Sequence, residues 1–133
     1  MNAKLALAGA VLAACVFTAA SAERRSLAML DHLDSGLWEL RSRDEPGRAE
    51  RLCLGDPRKL IQLRHRAQAC TPVVVDDTES EVTVQYTCHG QGYGRTHIRR
   101  ESDSLVQIDS QGIAQGLPFA FAAEARKVGA CPR

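Results

Sequence analysis

The sequence predicts an α+β domain that is mainly β: a curved antiparallel meander of about seven strands, one or two short helices and two disulfides. Three observations carry that expectation. Short stretches of alternating apolar and polar residues recur along the chain, and turn residues separate them at close spacing. Four cysteines, an even number, lie beyond the first 22 residues.

Those first 22 residues read as an export leader. Lys4 gives a positive start, Leu5 to Phe17 are apolar, and Ala20-Ser21-Ala22 is the small-x-small pattern a signal peptidase cuts, with charged Glu23-Arg24-Arg25 beyond. The apolar run is shorter than the ~20 residues a membrane-crossing helix needs. Leu12-Ala13-Ala14-Cys15 also resembles a bacterial lipobox, in which Cys15 would be lipidated. Val16-Phe17 continue the apolar run, which favours ordinary cleavage before Glu23. The expectation is a leader over 1–22 and a single domain over 23–133.

Within that domain, Ser26 to Leu33 has Leu27, Leu30 and Leu33 on one side and Gly36 beyond its end, a short helix pattern. Leu37 to Arg43 alternates, with Trp38 and Leu40 on one face and Glu39 and Arg41 on the other. Asp44-Glu45-Pro46-Gly47 is a turn, because proline fixes φ and glycine accepts φ > 0, and Arg48 to Leu54 is the returning strand. Asp56-Pro57 starts a helix, with a capping acceptor and proline at the first position, predicted to run to about His65. Two strands then flank the polar stretch Asp76 to Ser80. Gly94 to Glu101 and Ser104 to Ser110 read as another hairpin, and Pro118 to Val128 as a last strand with Phe119, Phe121, Ala123 and Ala125 on one side. Neighbouring strands joined by such short connections are antiparallel.

Cys53, Cys70, Cys88 and Cys131 allow three connectivities. The chain pattern favours one. A hairpin centred near Glu79 sets Cys70 directly opposite Cys88, within the span of a disulfide, which leaves Cys53 to join Cys131. Bridges of this kind belong to an oxidising compartment.

Composition narrows the function. With 17 Lys+Arg against 16 Asp+Glu, the chain lacks the concentrated basic excess of a nucleic-acid binder. His32, His65, His89 and His97 show no metal-ligand spacing, so no metal or cofactor is expected, and they read as exposed or capping side chains. Cys88 and His89 are adjacent on a strand and would point to opposite faces, which argues against a nucleophile and base. Gly90 to Gly94 leads into a strand rather than a helix and has no Gly-Lys-Ser, so it reads as a turn and not as a phosphate cradle. Without a catalytic motif, no enzyme is expected.

Two surfaces qualify as ligand sites. Trp38, Tyr86, Phe119 and Phe121 would line an apolar pocket on the curved sheet, or fill its core. Arg95 and His97 share a strand face with Arg99, a basic stripe for an anionic partner that Glu101 interrupts.

Gly36-Leu37-Trp38-Glu39, Cys53 ahead of a short Pro-bearing segment, the Cys70 and Cys88 positions, Gly92-x-Gly94 and the terminal Arg126 to Cys131 together carry a resemblance. Over most of residues 36–131 the chain resembles a widespread family of short exported bacterial proteins known as a domain of unknown function, numbered thirty-six seventeen. The resemblance implies a periplasmic or envelope location in a Gram-negative cell and supports the disulfide pattern. It implies no catalytic residue, and Ser26 to Leu33 has no counterpart in the pattern.

The resulting expectation is a monomeric, non-catalytic periplasmic module that binds a small apolar ligand or an envelope protein on its curved sheet. The alternative is a structural or inhibitor-like interaction domain that presents a disulfide-held loop such as Gly90 to Arg95. Membrane attachment enters only through a lipidated Cys15.

Overall fold

The computed structural model describes residues 26–133. The expected export leader over 1–22, the expected cleavage before Glu23 and Cys15 lie outside the described residues. Seven strands follow in chain order: β1 (Gly36–Ser42), β2 (Ala49–Leu54), β3 (Cys70–Asp77), β4 (Glu81–Cys88), β5 (Gly92–Ser102), β6 (Leu105–Ala114) and β7 (Leu117–Gly129). They form one antiparallel sheet in the order β2-β1-β7-β6-β5-β4-β3. β3 to β7 are therefore a plain meander, and the β1–β2 hairpin docks on the last strand.

The tight turns follow from local chemistry. Gln115 and Gly116 both have positive φ, 52° and 75°, between Ala114 and its partner Leu117. Positive φ at both central residues is the primed turn whose twist matches two antiparallel strands. Gly47 supplies positive φ in the β1–β2 connection, where Arg48 N–H returns to the Glu45 carbonyl.

Both expected helices are shorter than their patterns suggest. α1 spans only Ala28–Asp31, because Leu27 is left-handed (φ 56°) and spends its N–H on Asp77 Oδ2 at 3.1 Å. After Asp56 caps the Arg58 N–H, the chain makes a 3₁₀ turn, Pro57–Leu60, and then successive turns to Gln68 rather than a helix to His65. The β5–β6 hairpin, by contrast, is longer than expected and pairs Gly92 with Ala114.

Inward-facing positions of the sheet bury Trp38, Leu40, Val82, Val84, Tyr86, Ile98, Val106, Ile108 and Ala125, and α1 and the 57–63 segment cover them with Met29, Leu30, Leu60 and Ile61. Burial of Leu- or Phe-sized side chains contributes roughly 1.5–3 kcal/mol each, so this single face drives folding. Trp38 is fully buried, its Nε1–H donating to the Asp34 carbonyl at 2.9 Å.

Both disulfides form as the hairpin argument predicts. Cys70 and Cys88 are cross-strand partners with Cα atoms 4.2 Å apart. Cys53 joins Cys131 across 78 residues, with Cα atoms 5.5 Å apart. The second bridge ties the outer hairpin to the C-terminal end of the chain.

Candidate functional site

The residues singled out from sequence divide between the two faces of the sheet. Trp38 and Tyr86 point inward and are closed off, 0% and 1% exposed. Phe119 and Phe121 also point inward, but lie towards the lower end of β7, half-buried and stacked with centroids 6.3 Å apart. Arg95 and His97 stand on the opposite, solvent-facing side of β5.

Tyr86 belongs to a buried polar cluster that sequence reasoning missed. His65, 2% exposed, places Nδ1 3.0 Å from the Tyr86 hydroxyl and Nε2 2.9 Å from the Gln91 carbonyl. A carbonyl only accepts, so in the neutral ring Nε2 carries the proton and Nδ1 accepts the phenol's hydrogen. Burial pushes the Tyr86 phenol up to about 12. His65 shares the inward side with Ile61, four residues earlier, and that spacing was the available signal. With neither ring open to solvent, the cluster pins the 61–68 segment to β4 and to the β4–β5 turn.

Tyr86 has room because its cross-strand partner is Gly94. The ring lies across that glycine: a Cβ there would stand 2.5 Å from Tyr86 Cζ and 2.7 Å from Cε1. The same glycine read from sequence as part of a flexible turn is thus the seat of a core aromatic ring.

The open concavity lies beside Phe121, away from Trp38. It is a groove of about 360 Å³ between the end of β1, the β1–β2 turn, the 63–66 segment and residues 120–123 of β7. Leu40, Leu63 and Phe121 give its apolar surface. The Arg64 guanidinium sits 4.9 Å from the Phe121 ring centroid, a cation–π contact. Arg48 pairs with Glu45 at 2.9 Å and Arg66 with Glu50 at 2.6 Å.

The outer face carries a second hollow, bordered by Asp44, Arg95, His97, Asp109 and the small side chains Ala120 and Ala122. His97 faces Glu81 at 3.5 Å, and Asp109 is held by Arg43 at 2.7 Å. Further along, Arg41 and then Arg51 beside Glu39 hold its carboxyl below the ordinary range. Among the described residues, Arg64 and Arg95 have no carboxylate at ion-pair distance.

No three His, Cys, Asp or Glu side chains gather among the described residues in a way that could hold a metal ion. No helix among them is long and apolar enough to cross a membrane. In comparisons with family models, curated proteins and solved structures, the chain matches none.

Proposed function

We propose that this chain is an exported, non-catalytic binding module of the periplasm or envelope, and that its site is the groove beside Phe121. The observation that carries this reading is the contact in that groove between a half-buried aromatic ring, Phe121, and a guanidinium, Arg64, that has no carboxylate at ion-pair distance among the described residues. Such a surface suits an amphipathic partner, with an apolar body for Phe121 and an acidic group for Arg64. The filled core supports the same choice, since Trp38 and Tyr86 offer a ligand no surface. Only Gly90 and Gln91 form the turn, with Gln91 N–H bonded to the Cys88 carbonyl, and Gly92 to Arg95 already belong to β5, which favours the groove over a presented loop.

Export is part of the proposal. Two disulfides support an oxidising compartment. The leader pattern and the resemblance to an exported bacterial family support the periplasm.

Titration with anilinonaphthalene sulfonate, an apolar ring system bearing an anion, tests the site. The native protein is expected to bind one equivalent saturably, and Arg64→Ala and Phe121→Ser each to weaken binding about tenfold, the loss of one charge-assisted or aromatic contact. Absence of binding, or equal binding by both variants with unchanged circular dichroism, would overturn it.

A further inference from the structure

The groove adjoins an unpaired length of sheet edge. β1 pairs with β7 only over Ala123–Gly129. There the chain leaves the sheet: Arg43 N–H donates to the Ala122 carbonyl at 2.8 Å, and Asp44 Oδ2 accepts the Ala122 N–H at 2.9 Å. Outward-pointing backbone groups recur every second residue along a strand. The next ones on β7 are therefore the N–H and C=O of Ala120, then the C=O of Pro118. Neither has a strand partner among the described residues, while the other side of Leu117–Phe121 is fully paired with β6.

Ala120 is exposed and borders both the groove beside Phe121 and the outer hollow beside Arg95. The charged groups around these hollows are largely matched: Arg48 with Glu45, Arg66 with Glu50, Asp109 with Arg43, and Asp44 with a backbone N–H. The two left over are both guanidinium groups, Arg64 on the inner side and Arg95 on the outer. The edge of β2 is different, because Glu50 and Arg51 occupy it in ion pairs, which blunts strand addition.

We propose that the open edge of β7 at Leu117–Phe121 is a strand-addition site for an extended segment of a partner protein carrying two consecutive acidic residues. The segment takes the place β1 would fill if it continued past Ser42. Its main chain bonds to Ala120 and Pro118, and an apolar side chain lies against Phe121. Adjacent residues of a strand point to opposite faces, so two consecutive carboxylates reach Arg64 on one side and Arg95 on the other. This rests on the groove being the binding site and names its occupant.

The test uses the full mature protein and synthetic peptides. The probe is acetyl-Thr-Val-Glu-Glu-Val-Thr-amide, compared with its Lys-Lys counterpart and with two forms N-methylated at alternate residues, one for each register. The acidic peptide is expected to bind saturably and at least about tenfold more tightly than the basic one. One N-methylated form should lose about tenfold or more, because methylation removes the donors that meet Ala120. The Ala120 amide should shift in ¹⁵N spectra and become protected from exchange. Ala120→Pro, which removes an outward N–H, should weaken peptide binding about tenfold. Equal affinity for all four peptides, or concentration-dependent dimerisation in place of peptide binding, overturns strand addition. If the dye binds and no peptide does, strand addition fails while the groove stands. If neither binds, both fail.

Discussion

Gly94→Ala should be among the most destabilising single-methyl changes in this domain. The added Cβ would stand 2.5 Å from Tyr86 Cζ, and the ring cannot swing away cheaply. It is 1% exposed, bonded to His65, and in edge contact with the His65 ring at 5.3 Å. Forcing a methyl into a packed core costs about 1–3 kcal/mol, and displacing the phenol from His65 adds about 1 kcal/mol. The total, about 2–4 kcal/mol, is a large part of the roughly 5–15 kcal/mol that holds such a domain together. Urea unfolding should show a lower midpoint with an unchanged slope. The decisive measurement is a double-mutant cycle with Tyr86→Leu, which removes the ring atoms the methyl would strike. In that background Gly94→Ala should cost nothing, or stabilise by up to about 1 kcal/mol through reduced chain entropy. A penalty of the same size in both backgrounds would refute the account.

Removing the bridges should rank by loop length: Cys70→Ala/Cys88→Ala should cost about 3 kcal/mol and Cys53→Ala/Cys131→Ala about 4.5, for separations of 18 and 78 residues. Equilibrium unfolding of the two double variants checks the order, and the reverse order would count against the chain-entropy argument. Alkaline pH should destabilise the fold. A free phenol ionises near pH 10 and Tyr86 only near 12, so the unfolded chain gives up its proton first and stability falls as pH rises through that window, by at most about 3 kcal/mol. Absorbance titration of Tyr93→Phe, in which Tyr86 is the only phenol, should show no ionisation until close to pH 12. Intact mass of protein purified from the periplasm without reductant should correspond to a chain beginning at Glu23 and four protons lighter than the reduced form. An acylated Cys15 species would instead place the protein on a membrane surface.

The strands were legible because their two faces differ. Val82, Val84 and Tyr86 are inward and buried while Gln85 and Thr87 are outward, as period-two alternation requires. The Cys70–Cys88 bridge was legible because a hairpin centred near Glu79 sets the two opposite each other, a register that a bulge between Val74 and Asp76 brings about. The helices were less so. A capping Asp56 and a following proline give the start of a turn, but nothing local to Leu60–Gln68 says that it stops after one 3₁₀ turn and closes on β4 through His65. The candidate site was legible only in part. Phe121, Arg95 and His97 stand around the open end of β7, yet the groove depends on β1 turning away at Arg43, a matter of tertiary register that no local pattern encodes. Trp38 and Tyr86, equally apolar in sequence, differ from Phe121 only in where the covering segment falls.

The sheet order carries a kinetic consequence. β1 and β2 are the first strands to leave a ribosome or a translocation channel, and β7, the strand they dock on, is the last. For most of its emergence the early hairpin holds its apolar side uncovered, and every contact between it and the rest of the sheet spans most of the chain, which slows folding. Cys53 is caught in the same wait. In chain order Cys70 and Cys88 precede Cys131, so oxidation of an incomplete chain would offer Cys53 only non-native partners, which thiol exchange would have to reverse before its native bridge forms. Correct pairing of Cys53 therefore waits for the last strand of the sheet, whatever the final stability of the fold.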